Sequence, residues 1–361
     1  MDNEIGAALR RAREAAGVSL SALAQHAHYS RGHLNNVECG RRAATPDVVL
    51  AYERALGADD VNRRQLLTGL AAAVVAPAVM SEALAGAFTD AMGERIGVDE
   101  WWDRVQSYGR DYMSMGAGEL SGRLVGDLVR LQQYVDDPAV WAPSASLMTV
   151  YGKTLPTNDG RKGAIRWYQL AARMADRSGD LPTRVWVRGR AALALAYEGA
   201  APATAARLTE HALELSDTPS IGRLNAQLAR VHTIADRGDP NATAQAMDDA
   251  RREFEVSGSH EQESDFAMPE WRFAVHESML WSRLGDQDRA VVAQEAVDRL
   301  RPATLPRFGT HVELHRGLML ARAGDKADGV EYARAALDRL PKDKRSLSLH
   351  LMMAEVERAG A

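Results

Sequence analysis

Residues 18–40 read VSLSALAQHAHYSRGHLNNVECG, and their spacing settles the fold of the N-terminal part of the chain. Ser19 suits the N-cap of a short helix whose apolar side is Leu20, Leu23, Ala24 and Ala27. His28 and Tyr29 make a tight turn. Ser30 caps a second helix with Leu34 and Val37 on its apolar side, and Gly40 ends it. The small Ala24 lets the two helices cross closely. With Leu34 and Val37 turned inward, Arg31, Gly32, His33, Asn35 and Asn36 face outward. Arginine and asparagine pair bidentately with guanine and adenine edges in the major groove. The spacing therefore predicts a helix-turn-helix that points to DNA, and Arg31, Gly32, His33 and Asn36 on its outward face are the candidates for base contact.

The flanks fit a small all-α domain. Ile5, Leu9, Ala12 and Ala16 share one face of a preceding helix that Gly17 stops. Thr45-Pro46 places a cap before a proline at the first helical position, and Val49, Tyr52 and Leu56 form a third stripe that Gly57 closes. Arg10, Arg11 and Arg13 before the motif, and Arg41 and Arg42 after it, are available to phosphates, as is the Ser30 hydroxyl at the helix start. This segment resembles the phage-repressor and Cro class of helix-turn-helix regulators over residues 4–57. The resemblance implies base contacts from Arg31, Gly32 and Asn36, and backbone contacts from Arg41 and Arg42. That class often sets a phosphate-binding glutamine just after the first cap, where this chain has Leu20.

The chain has 361 residues, enough for two or three domains. Its net charge of −5 excludes a generally basic nucleic-acid coat, so affinity for DNA has to come from the local arginine patch. The single cysteine, Cys39, permits no intrachain disulfide and fits a reducing cytoplasm. Residues 62–79, NRRQLLTGLAAAVVAPAV, carry twin arginines and an apolar run like an export signal. That run is about 14 residues, short of the ~20 that span a bilayer. Behind a finished domain it reads as a linker helix, and no membrane association is expected. The expected division is a DNA-binding domain over 1–60, a linker over 61–85 and a second domain over 86–361.

The second domain shows no sustained alternation and is rich in Ala, Leu, Arg and Glu, so it is expected to be helical throughout. Gly160, Gly199, Gly238, Gly285 and Gly324 recur at intervals of 39, 39, 47 and 39. Each is followed by a polar turn and an Ala-rich amphipathic stretch, and the later ones repeat most clearly: LGDQDRAVVAQEAVDRL from Leu284 and AGDKADGVEYARAALDRL from Ala323. A helical hairpin repeated at such a period predicts a solenoid. The longest interval holds a polar insertion, SGSHEQESDF from Ser257, expected as an extended loop. The whole array resembles tetratricopeptide-like repeats.

Positions 13, 9, 6 and 2 before each turn glycine share one helical stripe. They hold Trp186, Arg190, Leu193 and Tyr197, then Asn225, Ala229, His232 and Asp236. Arg272, His276, Met279 and Arg283 come next, then His311, His315, Leu318 and Arg322. Aromatic, amide, histidine and arginine side chains in one stripe suit a groove for an extended peptide. The candidate groove residues are Trp186, Arg190, Tyr197, Asn225, His232, Arg272, His276, His311 and His315. The alternative is that these side chains cross-link neighbouring helices. His311 and His315 have the i, i+4 spacing of metal ligands, but no HExxH accompanies them and no metal or cofactor is expected. Phosphate loops, nucleophile elbows and acid–base pairs are missing from the sequence, so an enzyme is not expected.

A repressor-type motif followed by tetratricopeptide-like repeats is similar to the cytoplasmic quorum-sensing regulators of bacteria, which bind short peptides in the repeat groove. The resemblance implies a homodimer reading paired half-sites about 34 Å apart. Its partners would be operator DNA and a signal peptide. Repeats that sense a small molecule, repeats that dock a partner protein, and an adaptor without DNA remain the other readings.

Overall fold

The computed structural model describes residues 6, 9, 10, 13, 14, 18–27, 29–42, 44, 48, 51, 52, 96–155, 160–199 and 201–360. The expected linker helix over 62–79, and the contributions of Ile5, Arg11, Ala12, Ala16, Gly17, His28, Thr45, Pro46, Val49, Leu56 and Gly57, lie outside those residues. The chain divides into two compact units, Met1–Phe88 and Thr89–Ala361. The protein is all-α, and no strand occurs among the described residues.

In the first unit, α1 (Leu20–Ala27) and α2 (Arg31–Glu38) form the helix-turn-helix. Both serine caps form: Ser19 Oγ accepts from the Ala22 amide and Ser30 Oγ from the His33 amide, each at 3.1 Å. Gly40, at φ +67°, ends α2 in the left-handed region. Leu23, Ala24, Ala27, Leu34 and Val37 are buried with Leu9, Val48 and Tyr52 in one core. Each large aliphatic side chain buried there contributes ~1.5–3 kcal/mol. A Cβ on Gly6 would stand 1.9 Å from the Val37 carbonyl oxygen, so the preceding segment meets α2 backbone to backbone.

The second unit is a stack of antiparallel helical hairpins. An entry pair, α3 (Val98–Ser114) and α4 (Ala117–Leu131), leads to α5 (Trp141–Thr154) and α6 (Gly160–Ser178). Then come α7 (Leu181–Tyr197) with α8 (Pro202–Leu215), α9 (Ile221–Ala235) with α10 (Pro240–Ser257), and α11 (Glu270–Leu284) with α12 (Gln287–Leu300). The last hairpin is α13 (Pro306–Ala323) with α14 (Lys326–Arg339), and α15 (Leu347–Gly360) closes the stack. Gly199, Gly238, Gly285 and Gly324 sit at positive φ in the hairpin turns, where a side chain would be strained. Gly160 is different: it opens α6.

First helices of successive hairpins run side by side and make the inner layer. α7 and α9 come closest, because Gly189 and Gly222 face one another. A Cβ on Gly189 would meet the Gly222 carbonyl oxygen at 2.0 Å, and one on Gly222 would meet the Trp186 amide nitrogen at 2.7 Å. At the far end a two-pronged ion pair, Arg283 to Glu355 at 2.9–3.0 Å, ties α11 to α15.

The polar insertion is not an extended surface loop. After α10 the chain folds back, with Ser259 and Met268 exchanging two hydrogen bonds at 3.0–3.1 Å. It then drives Ser264, Asp265 and Ala267 into the interior. Phe266 stacks on Trp186, ring centroids 4.4 Å apart. The Asp265 amide donates to the Gly109 carbonyl of α3 at 2.9 Å. There is room because Gly109 has no side chain: a Cβ there would lie 2.4 Å from the Phe266 ring. Sequence polarity hid this, since the acid that goes inside is matched by cations from other hairpins.

Candidate DNA-reading helix and ligand cavity

The outward side of α2 carries Arg31, Gly32, Asn35 and Asn36, all exposed, while Leu34 and Val37 are buried beneath. Gly32 has open space around it. His33 departs from its expected place: its ring is half-buried and stacks on Tyr29 at 5.0 Å, so it belongs to the turn more than to the reading face. The Ser30 oxygen serves as cap acceptor and remains exposed, which leaves its hydroxyl proton to donate. Past the helix end, the amides of Arg41 and Arg42 both donate to the Asn36 carbonyl, at 2.8 and 3.1 Å. Those bonds hold two exposed arginines beside the outward face of α2. Arg10 is exposed but engages Glu14 one turn on, at 2.8 Å.

Arg13 corrects the sequence reading. It is buried and meets Glu38 with two parallel hydrogen bonds, Nε to Oε1 at 2.7 Å and Nη2 to Oε2 at 2.8 Å. It is therefore not on the surface to hold a phosphate. The Tyr52 hydroxyl also donates to Glu38 Oε1, at 2.8 Å. Burial first, then the bond to Glu38, pushes the Tyr52 phenol well above its ordinary range, so it stays a donor. Glu38 is the last residue of α2, and this network anchors the end of that helix to its domain. The sequence pattern offered one clue, a lone acid at an inward-facing position of an amphipathic helix.

In the second unit, the expected stripe is mostly interior. Trp186, Arg190, Asn225, His232, Arg272, His276, His311 and His315 are buried, and Tyr197 is half-buried. The histidines bridge inner-layer helices: His232 Nε2 lies 3.1 Å from His276 Nδ1 between α9 and α11, Ser278 Oγ 2.8 Å from His315 Nδ1 between α11 and α13, and Tyr197 Oη of α7 meets His311 Nδ1 of α13 at 3.1 Å. Burial pushes His232, His276 and His315 well below the ordinary histidine range and His311 down to about 3. All four are neutral at pH 7.

What stays open on the inner face is a cavity of about 80 Å³. It is lined by the expected Arg190, Tyr197, Arg272, His276 and His311, and by Tyr112, Lys153, Glu198, Arg307, Phe308, Ser346 and Ser348, which the periodicity did not reveal. Trp186, Asn225, His232 and His315 do not line it. Trp186 is covered by Phe266, and the other three lie between helices.

Asp265, fully buried, organises the cations of this cavity. Arg190 grips it from the side, Nε to Oδ2 at 3.1 Å and Nη2 to Oδ1 at 2.8 Å. Arg272 Nη2 reaches Oδ1 at 2.9 Å, and Lys153 Nζ pairs with Oδ2. Burial alone would raise the Asp265 pKa, but Arg190, Lys153 and Arg272 outweigh it and hold the carboxyl well below its usual range. Lys153 is driven well below the lysine range by burial and then by Arg190, against the pull of Asp265. Its Nζ also lies 3.4 Å over the Tyr112 ring.

Two capped helices with an outward Arg/Asn face define the first unit as a helix-turn-helix domain. Comparison with known proteins agrees: residues 4–66 match the family described as "Helix-turn-helix domain". Among curated proteins none matches the chain. Among solved structures, the chain is similar to Bacillus thuringiensis PlcR, whose crystal structure is in complex with the peptide PapR7 and DNA. Identity is 13%, the match covers 70% of this chain and 95% of that one, and the TM-score is 0.37. Among the described residues no helix is long and apolar enough to cross a membrane, and no group of three or more histidine, cysteine, aspartate or glutamate side chains could hold a metal.

Proposed function

We propose that this protein is a ligand-responsive transcriptional regulator: α2 reads an operator, and the helical-repeat unit binds a signal that changes operator affinity. The observation that carries the reading is the sidedness of α2. Arg31, Asn35 and Asn36 are exposed and Leu34 and Val37 are buried, with Arg41 and Arg42 exposed at the helix end. That is the arrangement base-edge and phosphate contacts require. The signal site is the cationic cavity on the inner face of the repeats, and a short peptide is the first candidate for it. A homodimer would match paired half-sites. A ligand coupling of 1–3 kcal/mol, roughly 5–150-fold in affinity, is the ordinary scale for such regulators. A small-molecule signal is the second reading, favoured by the small size of the cavity.

Fluorescence anisotropy on DNA from upstream of the protein's own gene, against excess random DNA, tests the proposal. Competition-resistant binding that Arg31→Ala or Asn36→Ala weakens supports it. Absence of binding to all DNA at low salt overturns it in favour of a protein–protein adaptor.

A further inference from the structure

The cavity has more cations than carboxylates. Lys153, Arg190, Arg272 and Arg307 line it, with Glu198 as the acid in its wall and Asp265 buried behind three of the cations. Even with Lys153 neutral, three guanidiniums face two carboxylates. Asp265 already holds three of the four cations. Arg307 is the remaining one. Its side chain is nearly buried, its Nη2 donates to the Tyr112 carbonyl at 2.6 Å, and its guanidinium lies over the rings of Tyr112 and Phe308 at 5.2 and 5.1 Å. No carboxylate among the described residues pairs with it, although the other four buried arginines among them, Arg13, Arg188, Arg190 and Arg272, each have one. Arginine stays charged at any physiological pH, and a buried cation without a counter-charge is unfavourable until an anion arrives.

Size and geometry narrow the anion. About 80 Å³ is the room of a few water molecules, so the cavity admits a small charged group and leaves the rest of the ligand outside. Arg190 shows how this wall receives such a group: its Nε and one Nη hold the two oxygens of a planar carboxylate side-on. At the same cavity stand the Tyr197 ring, His311 and the serine pair Ser346 and Ser348, whose hydroxyls lie 2.9 Å apart. They offer a half-apolar, half-polar ledge for the part of the ligand adjoining its charged group.

We propose that the cavity is an anchoring site for a ligand's carboxylate, received by Arg307, with Asp265 as the fixed anion that holds the other cations in position. A peptide C-terminus and a small organic acid present the same group. The inference rests on the ligand-binding role proposed above for the repeat unit.

The test uses the full chain and four probe pools: short peptides without acidic side chains bearing a free C-terminus, the same peptides C-amidated, a panel of monocarboxylic acids, and the matching primary amides. All seven tryptophans lie at or beyond Trp101, so the thermal midpoint read by tryptophan fluorescence reports the repeat unit. One acid pool should raise the midpoint and bind at least about tenfold more tightly than its amide, as expected for one charge-assisted contact in a buried site. Which acid pool does so identifies the source. Arg307→Gln should abolish the acid preference, and Arg307→Lys, which keeps the charge without the fork, should weaken it and retain its sign. Amides that bind as tightly as acids, an acid preference that survives Arg307→Gln, or no response to any pool at millimolar concentration would each overturn the proposal. The acid–amide comparison on the unaltered protein stands even where a variant fails to fold. A protein that binds its operator and responds to an amide would keep the regulator and lose the anchor. One that prefers acids and binds no DNA would do the reverse.

Discussion

Replacing Glu38 by Ala should dismantle DNA binding without touching DNA. Glu38 accepts two bonds from Arg13 and one from Tyr52, at 2.7–2.8 Å, and its side chain is 3% exposed. Removing it strands a buried guanidinium and a buried phenol. Breaking one side of a buried pair costs ~3–5 kcal/mol. A domain of this size has on the order of 5 kcal/mol in total, so α2 would be unfolded much of the time. Hydrogen exchange of the full chain reads this directly: amides of α2 should exchange about 150- to 5,000-fold faster. Tryptophan fluorescence provides an internal control, because every tryptophan lies in the other unit and its unfolding midpoint should not move. Replacing both partners, Arg13→Met with Glu38→Met, should restore much of the protection, since no charge is then left unpaired. Unchanged α2 exchange in Glu38→Ala would refute the claim that this network anchors the reading helix.

Three further outcomes are expected. Arg31→Ala or Asn36→Ala should each cost about 1–3 kcal/mol on the best operator and broaden the selected sequence logo, whereas Arg42→Ala should weaken all DNA alike and flatten the salt dependence. The repeat unit should be acid-labile: His232, His276, His311 and His315 have folded pKa values below the unfolded value of about 6.5, so their contribution is complete above that pH and is lost as pH falls below it. Each histidine then removes up to about 2 kcal/mol between pH 7 and pH 5, and urea midpoints that stay level over that range would contradict the buried ladder. Gly222→Ala should destabilise the repeat unit by about 3 kcal/mol in urea titrations, because the new methyl meets the Trp186 backbone, which cannot give as a side chain could.

Local patterns made much of this protein legible. Ser19 and Ser30 cap, Gly40 terminates, and Leu23, Leu34 and Val37 fill the core, because caps, turns and helical periodicity act over a few residues. The recurring glycines Gly199, Gly238, Gly285 and Gly324 gave away the hairpin turns for the same reason: a positive φ leaves a residue-type signature in place. The stripe counted back from them did reach the cavity at Arg190, Tyr197, Arg272, His276 and His311.

Short-range chemistry along the chain is thus enough for the helical class, the capped reading helix and the repeat of the hairpins. Which polar residues go inside was settled only when distant segments met. Arg13 and Glu38 are 25 positions apart, and Lys153 and Asp265 are 112, so nothing in either neighbourhood marks the pairing. Asp265 sits in a stretch whose polarity favours solvent, and only the arrival of Lys153, Arg190 and Arg272 from three other helices offsets its desolvation. Burial of charge is a property of the assembled set, not of any residue in it. That is why the outward face of α2 and five residues of the cavity could be found along the chain, and the buried ion network around Asp265 only in the fold.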